Sequence, residues 1–158
     1  MKKIRKETWR STGISKHNLK QSILIGTILA LITVAEVLLS SSKSLMLIAQ
    51  NLTLSSLWAL VYYAVVGFCE EFMFRGYLQT RLMGWIGIWK GWILTSIFMA
   101  LIHIPQRMAT GLSLQEAITS AALLIPISLM LGYILIKTEN ILAPGIYHTF
   151  ANWVGVLM

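Results

Sequence analysis

Runs of apolar residues long enough to cross a lipid bilayer are the feature that most limits how this chain can fold. A spanning helix needs about 20 such residues, and 56% of the 158 residues are hydrophobic whereas only 12% are charged. A soluble domain usually carries about twice that charged fraction. The alternating ten-residue segments typical of a transmembrane β-barrel do not occur. The sequence therefore predicts an all-α fold, a polytopic transmembrane helix bundle with about five membrane helices around a polar intramembrane cavity.

Glycines, prolines and short polar turns divide the apolar sequence into these predicted spans. Glycine and proline commonly end or kink helices, and a polar turn at 40–44 separates the first two spans. The five spans are 22–39, 53–82 with a break at Gly84, 92–104 with an end at Pro105, 114–136 with a kink at Pro126, and 141–158 with an interruption at Pro144 and Gly145.

The first twenty residues carry a large share of the positive charge. They contain seven of the 13 Lys and Arg residues and one acid, Glu7, in a chain of net charge +7. A basic segment directly before a long apolar run follows the positive-inside rule, so we expect a cytoplasmic N-terminus on anionic lipid rather than nucleic-acid binding. The predicted domains are a basic cytoplasmic N-terminal arm, 1–20, and a single transmembrane domain, 21–158, of a multi-pass protein in the cell membrane.

Two adjacent carboxylates and an arginine follow the apolar run from Leu57 to Cys69. Ionisable groups at membrane depth are costly and mark functional sites by default. Glu71 and Arg75 are four residues apart, so they share one helix face and can pair. Glu70 points about 100° away from Glu71 around the helix, free to face a cavity.

Three polar residues on other predicted helices complete a candidate site. His103 lies near the end of a membrane helix, and His148 and Asn152 lie one turn apart in the last span. Counted from the nearest cytoplasmic cations at 1.5 Å per residue, Glu70, His103 and His148 lie at depths of about 16, 20 and 16 Å. These depths meet near the middle of a ~30 Å hydrocarbon core. The sequence therefore predicts one convergent site, which we expect to open toward the cytoplasm.

The residue types limit the chemistry of such a site. The chain has no Asp, which excludes a two-aspartate protease, and it has no His-Glu-x-x-His or Gly-x-Ser-x-Gly motif. Cys69 is expected to be a buried, poorly ionised thiol rather than a nucleophile. A carboxylate, two imidazoles and an amide suit hydrolysis by an activated water, with Glu and His as the general base and with His and Asn as oxyanion donors.

Three motifs in this order resemble those of a known family. They are Glu70-Glu71-x-x-x-Arg75-Gly76, the Phe-Met-Ala-Leu-Ile-His segment that ends at His103, and His148-x-x-x-Asn152. Over about residues 55–155 the chain is similar to the CPBP family, the CAAX-protease and bacteriocin-processing intramembrane endopeptidases, also called Abi. One departure is Met99, where that family usually has Phe, and we expect Met99 to form part of the pocket wall.

The resemblance implies an intramembrane endopeptidase that hydrolyses a peptide bond of a peptide or a membrane-anchored protein, with 21–158 as the catalytic domain. It implies no cofactor, and the alternative is a Zn²⁺ site. The implied roles are water activation by Glu70 and His103, oxyanion binding by His148 and Asn152, support by Glu71 and Arg75, and, in the metal alternative, zinc ligation by Glu70, His103 and His148.

Two other functions stay open on the sequence. One is a non-catalytic membrane protein of the same fold that confers bacteriocin self-immunity or acts as a scaffold. The other is a small proton-coupled transporter in which Glu70 and Glu71 relay protons. Because the chain is short, we expect a cavity that is either less enclosed than in longer relatives or completed by a second copy in a homo-oligomer.

Overall fold

The structure is a computed structural model that describes residues 8–40 and 45–157, and the side chains of 40 and 45–47 fall outside the description. The first seven residues of the predicted arm and the predicted turn at 41–44 therefore lie outside the described residues. The elements are a short 3-10 helix (Trp9–Thr12), α1 (Leu19–Ser40), α2 (Leu45–Asn51), α3 (Leu54–Glu71), a π-helical segment (Phe72–Gln79), α4 (Thr80–Ile86), α5 (Ile88–Ala109), α6 (Leu114–Ala122), α7 (Leu124–Thr138) and α8 (Leu142–Val154).

The predicted all-α membrane bundle is confirmed. The last helix, α8, has 13 residues, a length of about 20 Å. It packs inside the bundle against α1 and α3, and none of its residues is exposed. The stretches within the described residues that are long and apolar enough to cross a membrane are Leu19–Leu39, Leu54–Ile86, Ile88–Ala109 and Leu114–Thr138. A short inner helix thus takes the place of a fifth full-length span.

The distribution of side chains is the reverse of that in a soluble protein. Large apolar residues such as Leu31 and Trp58 are more than half exposed, whereas the largest fully buried side chains are Arg75, Gln79 and Glu71. An apolar exterior is expected of a surface that contacts lipid tails, and polar groups in a membrane bundle usually face its interior.

Small residues allow α8 to approach α3 closely. A Cβ atom at Gly67 of α3 would lie 3.2 Å from the backbone nitrogen of Thr149 in α8, so a larger residue there would push the two helices apart by a few tenths of an ångström. Toward the end of α8, the Trp153 indole donates a hydrogen bond to the Ser56 carbonyl at 2.7 Å. These contacts make the two helices antiparallel and place the middle of α8 opposite the end of α3.

Two predicted helix breaks are wrong. Gly84 lies inside α4, and the chain turns instead at Gly87, whose φ of +93° suits a residue without a Cβ. Pro105 does not stop α5, which continues to Ala109. A proline removes one backbone hydrogen bond from a helix, and membrane helices tolerate this loss where neighbouring groups satisfy the freed carbonyl.

The other two prolines act where helices begin. The helical hydrogen-bond pattern is interrupted at Leu123, between α6 and α7, because Pro126 has no N–H to bond the Ala122 carbonyl. The backbone of Leu123 itself stays right-handed helical, with φ of −66° and ψ of −17°, so the predicted kink at Pro126 is an interruption of the hydrogen bonds just before it. Pro144 is the third residue of α8, where a backbone N–H has no intrahelical partner. It does not interrupt that helix, contrary to the prediction.

The described part of the N-terminal arm, residues 8–18, packs against one end of the bundle. The Gly13 carbonyl accepts a hydrogen bond from the Ile141 N–H at 3.1 Å, and the Asn18 side chain donates to the Thr138 carbonyl at 3.1 Å. We call this end the arm end. The opposite end, where α3 begins and where α5 and α8 finish, is the far end.

Candidate active site

Glu70 lies near the end of α3 and reaches into a cavity lined by α3, α5, α7 and α8. Its side chain is 29% exposed, but Oε2 is buried without a hydrogen-bond partner among the described residues. That oxygen lies 3.6 Å from Nε2 of His148 and 4.0 Å from Nε2 of His103. Both gaps are too long for a direct hydrogen bond, and a water molecule commonly bridges polar groups at such separations. Glu70 thus presents an open carboxylate oxygen between two imidazoles.

Glu71 is fully buried behind His148. Its Oε1 accepts a hydrogen bond from Nδ1 of His148 at 2.9 Å, and its Oε2 lies 3.2 Å from Nε of Arg75. Arg75 is also buried and donates to the Ser128 hydroxyl of α7 at 3.0 Å. Because a carboxylate beside an arginine only accepts, Nδ1 of His148 carries a proton. This buried series of side-chain contacts therefore fixes the orientation of the His148 imidazole, with Nε2 toward Glu70.

His103 is oriented by its own helix. Its Nδ1 lies 2.7 Å from the carbonyl oxygen of Met99, one turn earlier in α5. A carbonyl only accepts, so Nδ1 donates, and in the neutral ring Nε2 is an acceptor that faces the cavity. Met99 is 5% exposed and lines the cavity, as expected for a residue of the pocket wall.

A π-helical segment begins at Phe72, directly after the two carboxylates, and extends to Gln79. Such segments are rare and occur frequently at functional sites. This one carries Arg75 into the interior, where the guanidinium lies between α3 and α7. Sequence patterns did not predict it, because the widened turn has no distinctive residue spacing.

One cavity of about 420 Å³ contains all the side chains that the sequence singled out as a site. The structure brings together Glu70, Glu71, Arg75, His103, His148 and Asn152 from three separate stretches of the chain. Ser128, which holds Arg75, was missed, and its only signal was a hydroxyl within the otherwise apolar run 121–132. Arg107 also lines the cavity, whereas the assumed helix end at Pro105 had placed it in a loop.

The cavity extends from the carboxylates toward the far end. Its lining includes Tyr62, before Glu70 in α3, and Thr110, beyond His103 in α5. Since α3 runs toward the arm end and α5 runs away from it, both residues lie on the far-end side of the carboxylates. The cavity and the N-terminal arm thus lie at opposite ends of the bundle. The expectation that a cytoplasmic arm and the opening share one side of the membrane is therefore wrong.

The zinc alternative requires three side chains of the cavity to be arranged around one metal ion. Glu70, His103 and His148 supply oxygen and nitrogen ligands of the kind that zinc binds. Within 8–40 and 45–157, however, no group of three His, Cys, Asp or Glu side chains is arranged to hold a metal ion. In this conformation the three side chains do not form a ready-made zinc site.

Two other residues noted in the sequence lie away from this cluster. Cys69 precedes Glu70 but is exposed on the outer surface of the bundle, so the expectation that its thiol is buried is wrong. His17 is 47% exposed at the arm end, with Nδ1 3.7 Å from the Glu139 carboxylate. Neither side chain is among those that line the cavity.

The fold and the cluster define a helical membrane protein with a polar site inside the bundle, and a comparison with known families identifies its class. The family model described as Type II CAAX prenyl endopeptidase Rce1-like matches residues 51–154. The chain therefore belongs to this family of CAAX-type intramembrane proteases and is a multi-pass membrane protein. The resemblance drawn from the three motifs is thereby confirmed. Searches of curated proteins and of solved structures gave no match.

Proposed function

We propose that this protein is an active intramembrane endopeptidase that hydrolyses a peptide bond with a water molecule activated in the cavity. The observation that carries the proposal is the buried Oε2 of Glu70, which has no hydrogen-bond partner among the described residues and faces the Nε2 atoms of His103 and His148. A buried acceptor left open is unusual in a folded protein. Here its surroundings suit a reacting water.

Glu70 and His103 activate that water. A carboxylate oxygen and an imidazole nitrogen 4.0 Å apart can both accept from one water molecule between them. Proton transfer to this pair generates the nucleophile that attacks the scissile carbonyl, and the pair returns that proton to the amine nitrogen as the C–N bond breaks. General acid–base catalysis of this kind is worth about 10²- to 10⁴-fold in rate. Because Nδ1 of His103 is engaged by Met99, the free Nε2 is the nitrogen available for the water.

His148 and Asn152 stabilise the oxyanion that forms on the substrate carbonyl. His148 donates from Nε2 only when its ring is protonated, because Nδ1 already donates to Glu71. Glu71 holds the ring in this orientation through the Nδ1 hydrogen bond, in the way a buried carboxylate supports a catalytic histidine. Asn152 follows His148 by one turn and lines the same cavity, where its amide N–H supplies the second donor.

We propose a reaction without a metal ion, with zinc held by Glu70, His103 and His148 as the alternative. In that alternative Glu70, His103 and His148 would hold the zinc ion, which would supply Lewis-acid chemistry for the carbonyl and the water. Elemental analysis of the purified protein, followed by activity measurement after dialysis against a chelator, separates the two. Stoichiometric zinc whose removal abolishes cleavage would establish the alternative.

We further propose that the cavity is reached from the extracytoplasmic side. The basic arm favours a cytoplasmic N-terminus, and the cavity extends toward the other end of the bundle. The substrate is then a peptide or a membrane-anchored protein with a cleavable segment on that side. Labelling of Thr110→Cys and Lys16→Cys, each in a Cys69→Ser background, with a membrane-impermeant maleimide in intact cells tests this. Reaction at position 16 and none at 110 would reverse the assignment.

The test of the hydrolase is cleavage by the full chain purified in detergent. Peptides are incubated in H₂¹⁸O, and mass spectrometry locates the new ends and the incorporated oxygen. We expect one ¹⁸O atom in the new carboxyl group, a loss of more than about 100-fold in His148→Ala, and full activity in Cys69→Ser. No cleavage of any peptide or membrane-anchored substrate would favour the non-catalytic role, and proton-coupled flux in liposomes would indicate the transporter.

A further inference from the structure

Arg107 is a cation in the cavity that the catalytic proposal does not use. It lies four residues after His103 in α5, so the two side chains share one face of the helix, and both line the cavity. The helix rises by about 6 Å between them, toward the far end. Arg107 is half-buried, and Gln106 and Thr110 beside it also line the cavity, which makes this part of the wall polar.

The two arginines of the cavity differ in their partners. Arg75 is 3.2 Å from Glu71 and bonds Ser128, so its charge is neutralised inside the protein. Among the described residues, the side chain of Arg107 forms no ion pair with an acid. A guanidinium presents several N–H donors in a planar fork that matches a carboxylate. Arg107 therefore has donors available for a group that enters from outside.

The distance from Arg107 to the reacting atoms determines how many substrate residues separate the bound group from the scissile bond. If the scissile carbonyl lies between Glu70 and His103, the guanidinium is about 6–10 Å away toward the far end, from the helix rise and the longer arginine side chain. An extended peptide advances about 3.3–3.6 Å per residue. A carboxylate two or three residues from the scissile bond would reach Arg107.

We propose that Arg107 is a specificity-determining residue that binds a substrate carboxylate two or three residues from the cleaved bond. This inference rests on the proposed hydrolase, because it takes the cleavage position from Glu70 and His103. The carboxylate is the C-terminus of the substrate or an acidic side chain at the same position. Both sources offer two oxygens to the guanidinium fork.

Binding to the full-length Glu70→Gln protein in lipid-free detergent tests this without requiring cleavage. The probe is a fluorophore-labelled five-residue peptide of alanine, leucine and valine, prepared as the free acid, as the C-terminal amide, and as an amide whose last residue is glutamate. Fluorescence anisotropy gives the dissociation constants. We expect the free acid or the glutamate amide to bind about tenfold more tightly than the neutral amide, as a charge-assisted pair predicts.

Adding Arg107→Gln should reduce that preference to less than about twofold, and Arg107→Lys should keep part of it because lysine retains the charge without the fork. The matched control is Lys90→Gln, which removes an exposed cation from the start of α5 and should leave the preference unchanged. Tight binding of the free acid alone identifies a C-terminal receptor, whereas tight binding of both acids identifies a general carboxylate site.

Equal binding of all three peptides, or an equal loss for all three in Arg107→Gln, would overturn the proposal. The second result would mean that Arg107 only shapes the cavity or anchors the helix in lipid. The experiment distinguishes failure of the proposed hydrolytic activity from failure of the proposed carboxylate site. Wild-type protein that cleaves none of the peptides, together with an acid preference that Arg107→Gln removes, leaves the carboxylate site intact and rejects hydrolysis of these probes.

Discussion

Two buried polar clusters among the described residues, one at the arm end and one in the cavity, differ in how completely their hydrogen bonds are made. At the arm end Asn140 is 1% exposed, yet each group of its amide has a partner. Nδ2 donates to the carbonyls of Ser15 and His17 at 2.9 and 3.0 Å, and Oδ1 accepts from the Leu142 N–H at 2.9 Å. This cluster ties the arm to the start of α8 and leaves neither group of the Asn140 amide without a partner.

The cavity cluster is arranged differently. Oε2 of Glu70 and Nη1 of Arg75 are buried without a hydrogen-bond partner among the described residues, and Oε2 of Glu71 has only its ionic contact with Nε of Arg75 at 3.2 Å. Leaving such atoms open costs stability, so a folded protein usually satisfies them. We interpret the saturated cluster as structural and the open cluster as a site that keeps its capacity for water and substrate. Substitutions in the two clusters should therefore affect activity and stability differently.

The largest effect is expected at the open carboxylate. Glu70→Gln preserves the shape of the side chain but removes the charged acceptor, so hydrolysis should fall by about 10²- to 10⁴-fold. The matched control is Glu139→Gln at the arm end, where the carboxylate is 57% exposed. Because its ion pair with Arg10 is exposed to solvent and contributes little to stability, the rate of hydrolysis should not change. Initial rates with a quenched fluorescent peptide measure both variants, and equal losses in the two would remove the distinction between the clusters.

The next effect concerns stability at the buried base of the cavity. Arg75→Met leaves the Glu71 carboxylate buried without its guanidinium, and breaking one partner of a buried ion pair costs about 3–5 kcal/mol. The double variant Glu71→Gln/Arg75→Met removes both charges and should recover part of this stability without recovering activity. Thermal unfolding followed by size-exclusion fluorescence measures the folded fraction. A double variant as unstable as the single one would show that the pair is not what stabilises this region.

The fold was predictable because bilayer length and hydropathy leave few options. The site was predictable because Glu70, His103 and His148 are polar residues in apolar spans, and each had to face the interior. Helix periodicity also placed Glu71 and Arg75 on one face, and the structure has them 3.2 Å apart. Each of these inferences used only the positions of residues within a single helix.

The errors arose where the contacts join different helices. The hydrogen bond from His148 to Glu71 gives this carboxylate a second partner besides Arg75, and no spacing within either helix reveals it. The direction of the cavity depends on how α3, α5 and α8 pack, and the assumed end at Pro105 hid the part of α5 that carries Arg107. Proline signals the loss of one hydrogen bond, and the surroundings decide whether the helix continues.

A moderate effect is expected from the saturated cluster. Asn140→Ala removes three hydrogen bonds at the arm end and leaves the Leu142 N–H without its acceptor, so the protein should lose about 1–3 kcal/mol of stability. The rate per folded molecule should stay within about twofold, because Asn140 lies at the opposite end from the cavity. Unfolding and active-site titration on one preparation measure both quantities. A large loss of rate in fully folded protein would mean that the arm end and the cavity are coupled.

The smallest effect tests the arm itself. A Cβ atom at Gly76 would lie 2.5 Å from the carbonyl oxygen of Thr12, so Gly76→Ala forces the arm away from the π-helical segment. A cost of roughly 1 kcal/mol corresponds to about a fivefold larger population of the open arm, and limited trypsin digestion at Lys16 should accelerate accordingly. Gly84→Ala is the matched control, because nothing lies within 4 Å of a Cβ there. Equal digestion of the two variants would mean that the arm is not held by this contact. Faster digestion with unchanged hydrolysis would separate the arm from the cavity.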